Sequence, residues 1–194
     1  MKSFTTALLS TAAAGVLAAA GPVCAQVVAA KLVPAQSEIA FVSKQMGVSV
    51  EGEFKKFDAQ IALDPKKPET GKVAFTIDTG SATIGDKDTD AEMVKPDWFN
   101  VGKFPQASFQ SSSIKALGSG KFEVVGKLVI KGASRDVVVP VALTQGGATS
   151  VATGSFGIKR IDFKIGEGDW ADTSMVANDV QVKFKLTLTG VSAL

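Results

Sequence analysis

The sequence predicts an all-β protein: a closed antiparallel β-barrel of about eight strands with one short helix around residues 86–95. Three observations predict it. Apolar and polar residues alternate with period two along most of the chain, turn residues separate the alternating runs, and the strand pattern lapses in only one stretch. Strands with one apolar face bury those faces together, and a sheet that closes on itself leaves no exposed edge to template aggregation. Periodicity alone leaves a two-sheet sandwich open as the alternative.

Residues 1–25 stand apart from this pattern. Met1-Lys2 is a short basic start, Ala7 to Ala20 is an almost unbroken apolar run, and Pro22 breaks any helix. Val23-Cys24-Ala25 ahead of Gln26 fits the small-residue rule for signal peptidase. The layout is that of a cleavable signal peptide, and the run falls short of the ~20 residues that span a bilayer. Gly21-Pro22-Val23 before Cys24 does not fit a lipoprotein signal. Residues 26–194 are therefore expected to be one exported, periplasmic domain.

Within that domain Ile39 and Phe41 begin the first strand. Val48, Val50 and Phe54 share a face, as do Phe57, Ala59, Ile61 and Leu63. The odd step from Phe54 to Phe57 keeps both sets inward only if Lys55-Lys56 supplies an extra residue, as a β-bulge does. Val73, Phe75 and Ile77 oppose Lys72, Thr76 and Asp78; residues 107–114 form another strand. Phe122, Val124, Leu128 and Ile130 then alternate with Lys121, Glu123, Lys127 and Lys131. Residues 137–143 and 149–158 follow. The cleanest strand is last, with Val180, Val182, Phe184, Leu186 and Leu188 opposite Gln181, Lys183, Lys185, Thr187 and Thr189. Asp64-Pro65, Gly118-Ser119-Gly120, Gly132 and Gly146-Gly147 supply turns between runs. The helical stretch carries Ala91, Met93 and Val94, is capped by Asp86 and stopped by Pro96, and belongs outside the barrel or across one end.

The chemical inventory is thin. Cys24, the single cysteine, leaves with the signal, and the chain has no His and no Tyr. Ser-His-Asp and Cys-His catalysis are thereby excluded, and zinc, copper and haem lose their usual ligands. Carboxylate or lysine chemistry stays open, but no spacing singles out such a site. Gly154-Ser155-Phe156-Gly157 lies inside a strand pattern and is not a nucleophile elbow. Asp86-Lys87-Asp88-Thr89-Asp90 starts like a calcium loop, yet Ala91 and Asp97 stand where such a loop needs Gly and Glu. The net charge of +2 falls by one with Lys2, so a nucleic-acid partner has no electrostatic footprint here.

What remains is an apolar interior. Val73, Phe75, Ile77, Phe122, Val124, Leu128, Val182, Phe184 and Leu186 are the candidates to line it. Arg160 and Asp162, at a strand end, and Trp170, in the glycine-rich bend from Gly166, are candidates to meet a head group at the barrel mouth. The plain alternative for Arg160 and Asp162 is a surface ion pair; Trp170 is expected to pack on or cap an opening.

Read in order, several segments resemble the YceI-like family. They are Gly52-Glu53-Phe54-Lys55-Lys56-Phe57-Asp58 with Asp64-Pro65, then Ile77-Asp78-Thr79-Gly80-Ser81 and Ile84-Gly85-Asp86. Asp97-Trp98-Phe99-Asn100, Lys103-Phe104-Pro105-Gln106-Ala107-Ser108-Phe109 and Leu128-Val129-Ile130-Lys131-Gly132 continue the likeness. Val137-Val138-Val139-Pro140-Val141 and Asp162-Phe163-Lys164-Ile165-Gly166 complete it, so the likeness covers nearly all of residues 26–194. The resemblance implies a lipocalin-like barrel with an internal tunnel, exported and binding polyisoprenoids, including isoprenoid quinones. It brings no catalytic residues, and it departs at Thr89 and Glu92, where many relatives carry Arg and His. The expected function is thus carriage of a long-chain isoprenoid lipid, with no cofactor, metal or nucleic acid. A filled barrel acting through its surface as an envelope interaction or stress-response module, and a carboxylate enzyme acting on a lipid, are the alternatives.

Overall fold

The computed structural model describes residues 29–194; the expected signal segment, with Cys24, lies outside the described residues. Eleven strand segments and one helix follow in order: β1 (Ala29–Leu32), β2 (Glu38–Gln45), β3 (Val48–Phe54), β4 (Phe57–Ala62), β5 (Lys72–Asp78), β6 (Ala82–Thr83), α1 (Lys87–Met93), β7 (Gln106–Gly118), β8 (Lys121–Ile130), β9 (Ala133–Gly146), β10 (Thr149–Lys159) and β11 (Asp179–Thr189).

The segments make eight strands. β1 and β2 both pair with β11 on one edge, so they are one strand interrupted around the 3-10 turn Pro34–Gln36. β3 pairs with β2 while β4 pairs with β1, and β6 pairs with β3 while β5 pairs with β4, which makes two more interrupted strands. Hydrogen bonding runs β1-β4-β5-β7-β8-β9-β10-β11 and returns from β11 to β1 through Lys31↔Thr189 and Leu32↔Leu188. The result is a closed, wholly antiparallel barrel with one helix.

The interruptions are themselves bonded. Lys55-Lys56 leaves the ladder where the odd Phe54–Phe57 step predicts, and Lys55 N–H donates to the Ser81 carbonyl (3.1 Å) while Asp78 N–H donates to that of Lys56 (3.0 Å). The break in the first strand rests on β11: Val33 N–H donates to the Thr187 carbonyl (2.8 Å), and the Thr187 hydroxyl donates to that of Gln36 (2.8 Å). This cover is why Thr187 is buried although it alternates onto the outer face.

Turn chemistry closes the hairpins. Met46-Gly47, Ser119-Gly120 and Lys131-Gly132 each place two successive residues at positive φ, the type I′ geometry whose twist matches that of the flanking strands. β7 carries a bulge between Ser111 and Ser113, which keeps Phe109 and Ile114 on the same inner face across an odd spacing. The β9–β10 ladder runs only from Gly146↔Thr149 to Val141↔Gly154, where Pro140 follows. Proline cannot donate to a ladder, so it belongs where pairing stops.

Two apolar clusters fill the barrel. One occupies its body, with Ile61, Ile114, Phe122, Leu143, Leu186 and Leu188 buried. The other plugs one end: Met93 of α1 packs with Ala82, Phe99, Ala107, Leu128, Ile130, Phe163 and Ile165. The helix therefore lies across an end, and Asp86 caps it by accepting from Thr89 N–H (2.9 Å) and the Thr89 hydroxyl (2.8 Å).

Candidate functional site

Alternation turns one face of every strand inward, and those faces enclose a cavity of about 120 Å³ in the body of the barrel. Twenty side chains line it, and each is Val, Ile, Leu, Phe or Ala. Val73, Phe75, Ile77, Phe122, Val124, Leu128, Val182, Phe184 and Leu186 all face it. Phe122, Val124, Leu128 and Leu186 are buried in the surrounding packing, whereas Val73, Phe75, Ile77, Val182 and Phe184 are only half-buried.

The lining also includes residues that sequence reasoning passed over, among them Phe109, Val139, Val141 and Phe156. Phe109 was hidden by the Ser111–Ser113 bulge, which breaks the period-two count from Ile114. Phe156 continues the inward series from Ala152 and Gly154, where glycine weakens the apolar signal. Two buried serine hydroxyls of the strands bond within the wall: that of Ser111 accepts from Val73 N–H (2.9 Å), and that of Ser150 accepts from Gln145 Nε2 (3.2 Å). Among the described residues, no titratable side chain lines the cavity. The site can therefore exclude water and contact apolar carbon.

The three head-group candidates do not form one polar site. Arg160 is 2% exposed and buried beneath the loop that follows β10. Its Nε donates to the Ala177 carbonyl (3.1 Å), Nη1 to those of Ile165 and Gly166 (both 2.9 Å), and Nη2 to those of Trp170 and Val176 (both 2.7 Å). All five guanidinium N–H groups are used, so Arg160 has no donor left for a ligand, and burial lowers its pKa from the ordinary arginine range. It also makes no surface ion pair with Asp162. That carboxylate instead stands 4.0 Å from Arg135 Nε, both side chains being about half exposed. Sequence pattern missed the role because a strand-end arginine looks the same whether it points to solvent or under a loop.

Trp170 is half-buried, with its ring 5.4 Å from that of Trp98, which packs against the plug. The same loop is tied to the β8–β9 turn by Lys131, whose Nζ donates to the Lys164 carbonyl (2.6 Å) and to Glu167 Oε2 (2.8 Å). Lys131 was expected outward with Lys127; it is 6% exposed, because it sits in the turn rather than on the strand face. The departing positions are local in effect. Thr89 serves the Asp86 cap, and Glu92 pairs with Lys95. Asp90 accepts from the Thr83 hydroxyl (2.6 Å) and Ile84 N–H (2.9 Å), which spends a carboxylate of the calcium-like run on the chain itself.

A family model described as the YceI-like domain matches residues 31–188. A UPF0312 protein of Yersinia enterocolitica is 32% identical over 162 residues, covering 80% of this chain and 81% of its own. A UPF0312 protein of Ectopseudomonas mendocina is 33% identical over 108 residues, a match spanning 54% of this chain and 56% of that relative. Among solved structures, BcnA of Burkholderia cenocepacia superposes with a TM-score of 0.79 at 46% identity, covering 81% of this chain and 99% of BcnA. A polyisoprenoid binding domain from Saccharophagus degradans, implicated in plant cell wall breakdown, shares the fold with a TM-score of 0.67 at 16% identity, covering 83% of this chain and 98% of its own.

Proposed function

The chain belongs to the YceI-like family, and we propose that it is an exported carrier for a long-chain isoprenoid lipid, a polyprenyl compound or an isoprenoid quinone, held in the barrel lumen. The observation that carries this reading is the closed barrel's wholly apolar cavity, with half-buried rings at its border. The description of a fold neighbour as a polyisoprenoid binding domain accords with it.

The energetics are adequate without polar chemistry. Burying ten methylene-sized groups contributes about 8 kcal/mol, which corresponds to micromolar affinity before ordering costs reduce it. The resting void of about 120 Å³ is on the scale of an engineered cavity of roughly 150 Å³ that accepts one benzene. Loading a long chain therefore widens the lumen, and the half-buried rings of Phe75 and Phe156 are the groups that move. Export completes the proposal: residues 1–25 act as a cleaved signal peptide and residues 26–194 work in the periplasm.

The small resting void also supports a second reading, in which the barrel stays filled and acts through its surface. Calorimetric titration of delipidated protein with geranylgeraniol separates the two. Saturable binding with a negative heat-capacity change, the mark of apolar burial, is the carrier result. No binding leaves the surface module.

A further inference from the structure

Two inward positions of the lumen wall carry no side chain: Gly126 on β8, between Val124 and Leu128, and Gly154 on β10, between Ala152 and Phe156. A phenylalanine ring lies across each. A Cβ built on Gly126 would stand 2.6 Å from Phe109 Cε2 and nearer still to Cζ; one on Gly154 would stand 2.8 Å from Phe184 Cε1 and nearer still to its Cζ. Carbon atoms pack at about 3.5–4.0 Å, so each ring occupies the space a side chain would take. Side chains on a strand ordinarily stand roughly perpendicular to the sheet. In a closed barrel that direction is into the lumen, and at these two places glycine lets the ring lie along the wall instead. Both Phe109 and Phe184 line the cavity and are half-buried.

We infer that Gly126 and Gly154 set the bore of the lumen and so select the cross-section of the chain it accepts, admitting a methyl-branched chain that a narrower bore would refuse. This rests on the carrier reading and adds the positions that determine its specificity. The rings are parked where they leave the greatest clear width, and a methyl group at either glycine drives its ring toward the axis. Gly52 supplies the contrast. Phe41 lies across it in the same manner, but Phe41 packs into the plug and borders no lumen. Ring-on-glycine packing there affects only the plug.

The test compares geranylgeraniol with cetyl alcohol, which have main chains of equal length and differ by the methyl branches and double bonds of the former. Delipidated wild-type protein, Gly126→Ala, Gly154→Ala and the control Gly52→Ala are titrated with each probe. The expected result is that Gly126→Ala and Gly154→Ala weaken geranylgeraniol by about tenfold or more, the scale on which a methyl group discriminates in an apolar pocket. Cetyl alcohol changes far less, and Gly52→Ala leaves the preference between the probes at its wild-type value. Equal losses for both probes in lumen variants that keep a cooperative unfolding transition overturn the inference. Because Gly126 and Gly154 also face the Gln110 and Pro140 carbonyls, Phe184→Leu serves as a variant that keeps the backbone intact. It opens the recess over Gly154, and the preference for geranylgeraniol should rise; an unchanged preference overturns the inference as well. If the wild-type protein binds neither probe, it is the carrier reading that fails.

Discussion

Phe122 and Phe184 both face the lumen, and truncating each should expose how differently they are held. Phe122 is 4% exposed and packed within the body cluster. Phe122→Ala removes a full ring and leaves its hole behind, a cost of about 3–5 kcal/mol. Phe184 is half-buried, with its ring across Gly154 and its border open to the cavity. Space already lies beside it, so Phe184→Ala forfeits mainly the transfer from water of the buried part of the ring, less than the roughly 1.5–3 kcal/mol of a fully buried side chain. At an m-value of about 2 kcal/mol/M, a 2 kcal/mol difference separates the urea midpoints of the two variants by about 1 M. The assay is urea unfolding of delipidated protein, with geranylgeraniol titrated into the same samples. Lys183→Ala, on the outer face of the same strand, should change stability by no more than about 0.5 kcal/mol. Phe184→Ala should weaken geranylgeraniol by about tenfold, since it strips contacts from the bound chain. If it costs as much as Phe122→Ala and leaves lipid binding unchanged, the lumen is packed at Phe184 and the reasoning is refuted.

Further outcomes follow from the rest of the fold. Arg160→Lys keeps a charge but offers fewer donors to five carbonyls; orphaned buried acceptors cost about 1–3 kcal/mol each, so the unfolding free energy should fall by at least that amount and limited proteolysis should cut within residues 164–176. The Thr89 N–H and hydroxyl hold the Asp86 carboxyl below the ordinary carboxylate range. Its contribution is complete above the unfolded-state pKa and is lost as pH falls through the lower folded-state value, so Asp86→Asn, which still caps, should flatten that part of an acid-unfolding curve. Intact mass of protein recovered from the periplasm should show a start at Gln26; full-length chain with Cys24 present would count against cleavage.

Most of the barrel was legible in the sequence because period two is an unambiguous signal where one face is buried. Val180 to Thr189 could be assigned to inner and outer faces residue by residue, and the odd Phe54–Phe57 step located the interruption at Lys55-Lys56. β1 was not legible, since Ala29 to Leu32 is too short to show a period and its pairing with β11 is long-range. The β7 bulge was missed although Phe109 to Ile114 is an odd step of the same kind. At the site, inward orientation was readable and polarity of environment was not. Arg160 became buried because the loop after its own strand folds back over it, and Lys131 because that same loop, distant from it in sequence, reaches the β8–β9 turn. Alternation cannot report a cover that arrives from elsewhere. The recesses at Gly126 and Gly154 were hidden for the opposite reason: glycine contributes no apolar signal, and its importance lies in the ring it admits.

The central claim is that the lumen holds an isoprenoid chain, and the protein's own cargo tests it most directly. Protein purified from its native envelope without delipidation, extracted with organic solvent and analysed by mass spectrometry, should release a long-chain isoprenoid lipid or quinone in stoichiometric amount. An extract with no such lipid, from protein whose delipidated form also fails to bind added polyprenyl compounds, would contradict it.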